Sequence, residues 1–249
     1  MSTIQSIDRA IDILNHMVLD KESVIADLSR DLDLAPSTVH RILQTLQAHS
    51  FVVKNEEAKT YSLGPALISL GQKASANNSL LKLSQSILKG LSEEVGEDTY
   101  FVIRSDYKGI LLSRYESPTR LKIVEQFGYG LDLHCGAIRK VLLAFSGPVF
   151  WKEYLDYIGK VGTDYPISSQ DQLLEDLRNL VKNKGGWSYG DYIPGCYGIA
   201  APIFNADGSL AGSIGTIVPE LHLASKELDQ LVRLVKKYGV QFSQLLGYQ

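Results

Sequence analysis

The sequence predicts an α+β chain of two domains, a helical one closed by a hairpin and a second built on an antiparallel sheet with helices packed against it. Two observations carry this. Apolar residues recur at three- and four-residue spacing through the first 50 positions, and again over 80–95, 137–145 and the last 25 residues. Short β-prone runs fill the stretches between. The length, 249 residues, suits one or two domains with buried cores.

Composition sets the bounds. With 45% hydrophobic and 21% charged residues, the chain matches neither a disordered nor a fibrous protein. It contains no apolar stretch of the roughly 18 residues that a membrane span needs, and the opening MSTIQSIDRAID carries charges where a signal peptide would be apolar. A cytoplasmic protein without membrane contact is expected. Cys135 and Cys196 are too few for a disulfide framework or a tetra-cysteine zinc site. The five histidines show no paired ligand spacing, so neither a metal nor any other cofactor is expected.

The first 64 residues read as helix, helix, helix, hairpin. Ile7, Ala10, Ile11, Leu14 and Val18 form one helical stripe, and Ile25, Leu28 and Leu32 form a second. Asp33 to Pro36 then interrupts, because proline disfavours helical geometry in the residue before it. Pro36 suits the first turn of a third helix, carried to about Ser50 by Val39, Ile42, Leu43 and Leu46. FVVK (51–54) and TYSL (60–63) follow as two strands joined by NEEAK. This is the order of a winged helix-turn-helix. On the third helix Ser37, Thr38, His40, Arg41 and Gln44 lie opposite the apolar stripe, and all can hydrogen-bond to phosphates or base edges. Lys54 and Lys59 in the hairpin complete the expected contacts to double-stranded DNA. Residues 1–65 nevertheless carry six Lys and Arg against nine Asp and Glu, a net −3. DNA binding here rests on where the cations lie and not on their sum.

Residues 65–78 read as a linker helix with Leu67, Leu70 and Ala74 on one face, ending in a hinge at Asn77-Asn78-Ser79. The second domain, 79–249, opens with a helix over 80–95. Strands are expected at 99–104, 109–115 and 121–127, the first two joined by a turn at Tyr107-Lys108-Gly109. Helices are expected at 137–145, 150–158 and 168–183. The third of these opens on Ser168-Ser169-Gln170-Asp171, which has the form of a capping box. GIAAPIF and LAGSIGTIV form a hairpin around Asn205-Ala206-Asp207-Gly208, and a helix over 224–246 closes the chain.

No catalytic constellation stands out. There is no GxSxG elbow, phosphate-binding loop or dinucleotide fingerprint. Cys135 beside His134 is the nearest thing to a nucleophile and base, but neighbours on a strand point to opposite faces. His134 reads as a hydrogen-bonded residue that fixes the loop before the helix. No enzyme activity is expected.

QSIDRAIDIL, LAPSTVHRILQTLQAHSFV and YSLGPALISLG resemble the DNA-binding domain of the IclR family of bacterial transcriptional regulators. LDLHCGAIRKVLLAF, GDYIPGCYGIAAPIFNADG and the terminal FSQLLGY resemble the family's effector domain. The resemblance implies a GAF-like effector-binding domain, a palindromic operator and a homodimer or tetramer. It further implies that Ile123, Leu131, Ala137, Ile138, Asp191, Cys196, Gly198, Gly215 and Ile217 contact a small-molecule effector, an organic acid or related metabolite. Three departures from the family pattern bear on that ligand. Arg139 replaces a glycine and offers a bidentate contact or an interface salt bridge. Gly215 and Ile217 replace serines, which removes hydroxyl donors and disfavours a small, highly polar effector. The segment before Gly190 is about two residues short. Trp187, Tyr189, Tyr192, Tyr197, Phe204 and Tyr129 could line a larger cavity or form core. A constitutive DNA-binding protein whose second domain only dimerises, or an enzyme with an accessory winged helix, stays open at this stage.

Overall fold

A computed structural model describes the chain except for residues 1–3, 19–21, 77–78, 119–129, 164, 166, 168 and 224–226. Ile123, the strand expected over 121–127, Tyr129, Ser168 and the Asn77-Asn78 hinge thus lie outside the described residues. The chain divides into two compact units, Met1–Ser79 and Leu80–Gln249.

The first unit contains α1 (Gln5–Met17), α2 (Ile25–Asp31), α3 (Pro36–Ala48), β1 (Val52–Asn55), β2 (Thr60–Leu63) and α4 (Pro65–Ala76). Its core is Ile13, Met17, Leu28, Val39, Leu43, Val52 and Tyr61. The buried face of α1 is therefore not the one the apolar stripe predicts: Ile7, Ile11 and Val18 are exposed, and Ile13 and Met17 fill the core instead. In the turn between α2 and α3, Asp33 takes φ 50° and the Ser29 hydroxyl donates to the Leu34 carbonyl at 2.5 Å. Ala35 is extended before Pro36 starts α3, as proline requires of its predecessor. β1 and β2 pair antiparallel from Val52–Leu63 to Asn55–Thr60, and the Asn55 side chain accepts from the amides of Glu57 and Ala58 to shape the loop. Ser23 adds an isolated antiparallel bridge to Tyr61 on the edge of β2 away from β1.

The second unit contains α5 (Ser79–Val95), β3 (Thr99–Ser105), β4 (Lys108–Tyr115), β5 (Gly130–Asp132), α6 (Gly136–Ala144), α7 (Gly147–Val161), α8 (Gln170–Lys182), β6 (Gly186–Tyr189), β7 (Cys196–Phe204), β8 (Leu210–Pro219), α9 (Glu220–Leu223) and α10 (Leu228–Leu245). The sheet order is β5-β4-β3-β8-β7-β6, with every pair antiparallel. Side chains alternate between two cores. Tyr100, Val102, Ala200 and Ile217 face α6, α7 and α8, whereas Phe101, Ile199, Ala201 and Ile214 face α5 and α10.

Three local expectations shift. The β3–β4 turn is Asp106-Tyr107, with Asp106 at φ 48°, and Lys108 and Gly109 already belong to β4. Gly109 is needed for packing: a Cβ there would lie 2.9 Å from Arg139 Cγ. The cap of α8 is Ser169, whose Oγ accepts from the Gln172 amide at 3.3 Å, one residue later than the capping-box reading places it. β6 and α9 were not visible in the sequence pattern.

Candidate functional site

Two surfaces carry the candidate chemistry, one on each unit. On α3, Ser37, His40, Arg41 and Gln44 are exposed and Thr38 is half-buried. Val39 and Leu43 anchor the opposite side of the helix in the core, so the polar face is held rigidly outward. The Arg41 carbonyl accepts from Thr45 Oγ1 within the helix, and Thr38 and Arg41 border a groove between α1 and α3. In the wing, Lys54 is engaged by Glu56 at 2.6 Å, a hydrogen bond that raises its pKa, and Lys59 sits in the β1–β2 turn at φ 54°.

In the second unit, a small cavity lies between the N-terminus of α6, the strands β6, β7 and β8, and the segment 190–195. Its walls include Ala137, Ile138, Arg139, Asp191, Cys196, Gly198 and Ile217, all singled out in the sequence. Leu131 and Gly215 are not among them. Leu131 pairs with Gly109 at the edge of the sheet. Gly215 lies under Ile138: a Cβ at that position would meet Ile138 Cγ1 at 2.6 Å and the Ile199 carbonyl at 2.4 Å. The carbonyl belongs to the backbone and cannot swing away, so glycine is required at 215 and Ile138 adds a second clash. Gly198 likewise lets α6 approach, since its Cβ would stand 3.3 Å from the Ala137 nitrogen.

Arg139 points inward. It is 2% exposed, its stem passes Gly109, and its guanidinium carbon lies 5.2 Å from the ring centroid of Tyr192. Lys140 follows it on α6 and bridges two acids, Asp191 at 2.6 Å and Asp176 at 2.8 Å. Burial alone would lower the Lys140 pKa, but these two hydrogen-bonded carboxylates outweigh it and raise it. Asp191 is thus ion-paired and not simply a solvated loop acid. Of the six aromatics raised above, Tyr192 lines the cavity; Trp187 and Tyr189 stand exposed on edge strand β6, and Phe204 packs against Phe145 and Tyr248.

Beside the cavity, Asp132, His134 and Cys135 bring their donor atoms within 4.8 Å of one another. The turn before α6 places them there; His134 and Cys135 are not on a strand, which corrects the reason given for discounting them. Their chemistry does not suit a metal. His134 Nε2 must donate to the Tyr165 carbonyl at 2.6 Å, so Nδ1 accepts from the Tyr154 hydroxyl at 2.7 Å and both ring nitrogens are committed. Burial depresses the His134 pKa and pushes the Cys135 thiol up to about 12, leaving one neutral and the other protonated. Burial would raise the Asp132 carboxyl, but hydrogen bonds from Lys108 and Thr163 hold it below the usual range. A neutral histidine with both nitrogens engaged cannot activate a protonated thiol, so this cluster buttresses α6.

Two family models match the chain: "Bacterial transcriptional regulator IclR C-terminal" over residues 72–244 and "IclR helix-turn-helix domain" over residues 6–56. The chain belongs to the IclR family. It is a helix-turn-helix transcriptional regulator with an effector-binding C-terminal domain. It is 28% identical over 229 residues to the HTH-type transcriptional regulator BhcR of Paracoccus denitrificans, covering 92% of this chain and 82% of that one. With the Escherichia coli regulator XynR it shares 25% identity over 252 residues, covering 100% and 99%. The crystal structure of an IclR transcriptional regulator from Alicyclobacillus acidocaldarius superposes with TM-score 0.84 at 22% identity, covering 99% and 100%. An IclR homologue from Microbacterium hydrocarbonoxydans complexed with 4-hydroxybenzoate superposes with TM-score 0.78 at 19% identity, covering 97% and 98%. Among the described residues of this IclR-family chain, no helix is long and apolar enough to cross a membrane.

Cys135, Gly136, Ser188, Tyr192 and Ile193 also line the cavity without having been assigned to it from sequence, although Tyr192 was among the candidate aromatics. Lys140 and Asp176 were missed as well. Lys140 lies within the family-like segment LDLHCGAIRKVLLAF, but no local pattern marks Asp176, which reaches Lys140 from another helix.

Proposed function

We propose that this regulator binds a palindromic double-stranded operator as a homodimer or tetramer in the cytoplasm, and that an organic acid or related metabolite in the α6 cavity biases that binding. Residues 1–64 read the DNA, 65–78 join the domains, and 79–249 bind effector and associate. The α3 face with Ser37, Thr38, His40, Arg41 and Gln44 enters the major groove, and Lys54 and Lys59 meet phosphates at the wing. The second domain acts by binding and not by turnover.

The observation that carries the effector reading is that Ala137, Ile138, Arg139, Asp191, Cys196, Gly198 and Ile217, scattered over 80 positions, enclose one space. Arg139 and the N-terminus of α6 suit a carboxylate, while Tyr192, Ile193 and Ile217 suit an apolar body. The 4-hydroxybenzoate bound by the Microbacterium relative has this combination, and an aromatic or branched carboxylic acid is the class we assign. Mass spectrometry of small molecules that copurify with the full-length protein, followed by calorimetric titration, tests it. Asp191→Ala is expected to abolish or strongly reduce the ligand's effect on operator binding while leaving ligand-free operator binding nearly intact. Wild-type ligand affinity in that variant would refute the assignment.

A further inference from the structure

The free space inside the cavity is about 20 Å³, room for one water molecule and for no metabolite. Something must therefore move before a ligand can enter. The wall formed by residues 190–195 is built to do so. It starts and ends on glycines of positive φ, 70° at Gly190 and 71° at Gly195, and nothing lies within 4 Å of where a Cβ would sit on either. Such positions absorb backbone rotation without a steric penalty. The Gly190 amide donates to the Cys196 carbonyl at 3.0 Å, which closes the base of the loop.

Between these hinges Tyr192 and Ile193 pack against the core, Tyr192 lies near the Tyr165 ring, and one ion pair ties the segment to α6. Asp191 Oδ2 lies 2.6 Å from Lys140 Nζ, and Tyr192 lies against the Arg139 guanidinium. The Lys140–Asp191 pair borders two roomier hollows, one of about 180 Å³ that also has His134, Ser169 and Gln172 in its wall, and one of about 590 Å³ towards Ser188 and Tyr189 on β6. Asp191 lines the cavity and both hollows, so it stands where the three meet. Lys140 is only 9% exposed, and stripping it of every partner would leave a buried charge. Opening does not do that, because Asp176 stays on Lys140 at 2.8 Å while Asp191, already 31% exposed, moves into water.

We propose that residues 190–195 are a lid latched by the Lys140–Asp191 ion pair, and that the cavity opens to the effector when the latch parts. This rests on reading the cavity as the effector site.

Hydrogen–deuterium exchange on the full-length, ligand-free protein tests it with Asp191→Asn and Asp176→Asn. Each variant removes one carboxylate charge and leaves Lys140 one partner, but only the first releases the lid. Amide exchange over 190–195 is expected to speed up by about tenfold or more in Asp191→Asn, the scale of one hydrogen bond to a charged group. In Asp176→Asn it is expected to stay at the wild-type rate, and Asp191→Glu is expected to restore slow exchange. Acceleration in both variants would reveal general loosening, and acceleration in neither would show that the pair holds nothing shut; either result overturns the lid. No effector enters the measurement, so failure of the lid and failure of the effector assignment are read separately.

Discussion

At the scale of single residues, the position facing Ile138 and the buried His134 give the sharpest tests. A Cβ on Gly215 would press on the Ile199 carbonyl and on the Ile138 side chain, so Gly215→Ser is expected to destabilise the second unit by about 1–3 kcal/mol through overpacking. Combined with Ile138→Ala, the two changes are expected to cost less than the sum of their separate effects, since the smaller side chain relieves the Ile138 contact and leaves only the one with the Ile199 carbonyl. Urea unfolding of the four proteins in this cycle measures the coupling, and strict additivity would show that the two positions are independent. His134 makes a prediction about pH. Burial depresses its folded-state pKa below the ordinary 6.5, so the folded protein keeps it neutral while the unfolded chain takes up a proton as pH falls through 6.5. Its stabilising contribution is complete above that value and fades towards the depressed folded pKa. Thermal melting between pH 7.5 and 5 is expected to show stability declining with acid, and His134→Asn is expected to flatten that decline from a lower starting stability.

At the scale of elements, α3 offers the clearest function. Arg41 is the lone Lys or Arg between Pro36 and Ala48, so Arg41→Ala is expected to weaken specific operator binding by about 1–3 kcal/mol without changing the melting temperature. Operator titration at fixed salt checks this; unchanged affinity would remove Arg41 from the reading face. This helix was legible in the sequence because an extended residue before proline and an unbroken Val39–Leu43 spacing each specify it locally. The face of α1 was not. That helix carries apolar residues on two sides, and periodicity marks a side as apolar without stating which one the core takes. β6 was invisible for a different reason: four residues, GWSY, are too short for an alternating pattern, and only the ladder with β7 makes them a strand. The motifs mark Ala137 and Asp191, which the structure brings to one cavity, whereas contacts that span the chain leave no local mark. The partners of Lys140 lie 36 and 51 positions away on a helix and a loop, a relation that no local spacing encodes.

At the scale of the whole molecule, the net charge of −3 over residues 1–65 makes a single DNA-binding unit a poor ligand for DNA. The structure sharpens this, because Glu56 already engages Lys54 and Asp27 and Asp31 already engage Arg30. On the proposed reading as a homodimer or tetramer, operator affinity comes from presenting two units together. The first unit also leaves uncovered apolar surface: Ile7 and Ile11 on α1 are 53% and 49% exposed, and Ile68 and Leu70 on α4 are 64% and 56% exposed. Concentrated on two helices of one small unit, such residues mark an association surface more than a solvated one. Ile11→Glu places a charge on that surface without touching the core, so the melting temperature is expected to stay within a few degrees of wild type. The subunits are expected to dissociate at lower dilution, and operator affinity is expected to fall by at least tenfold at fixed salt, because a half-site bound alone forgoes the second set of contacts. Sedimentation velocity and operator titration on the same preparation decide it. A variant that stays associated and binds operator like wild type would show that the α1 face is not a subunit contact. One that dissociates yet keeps its affinity would instead show that a single net-acidic unit suffices for the operator.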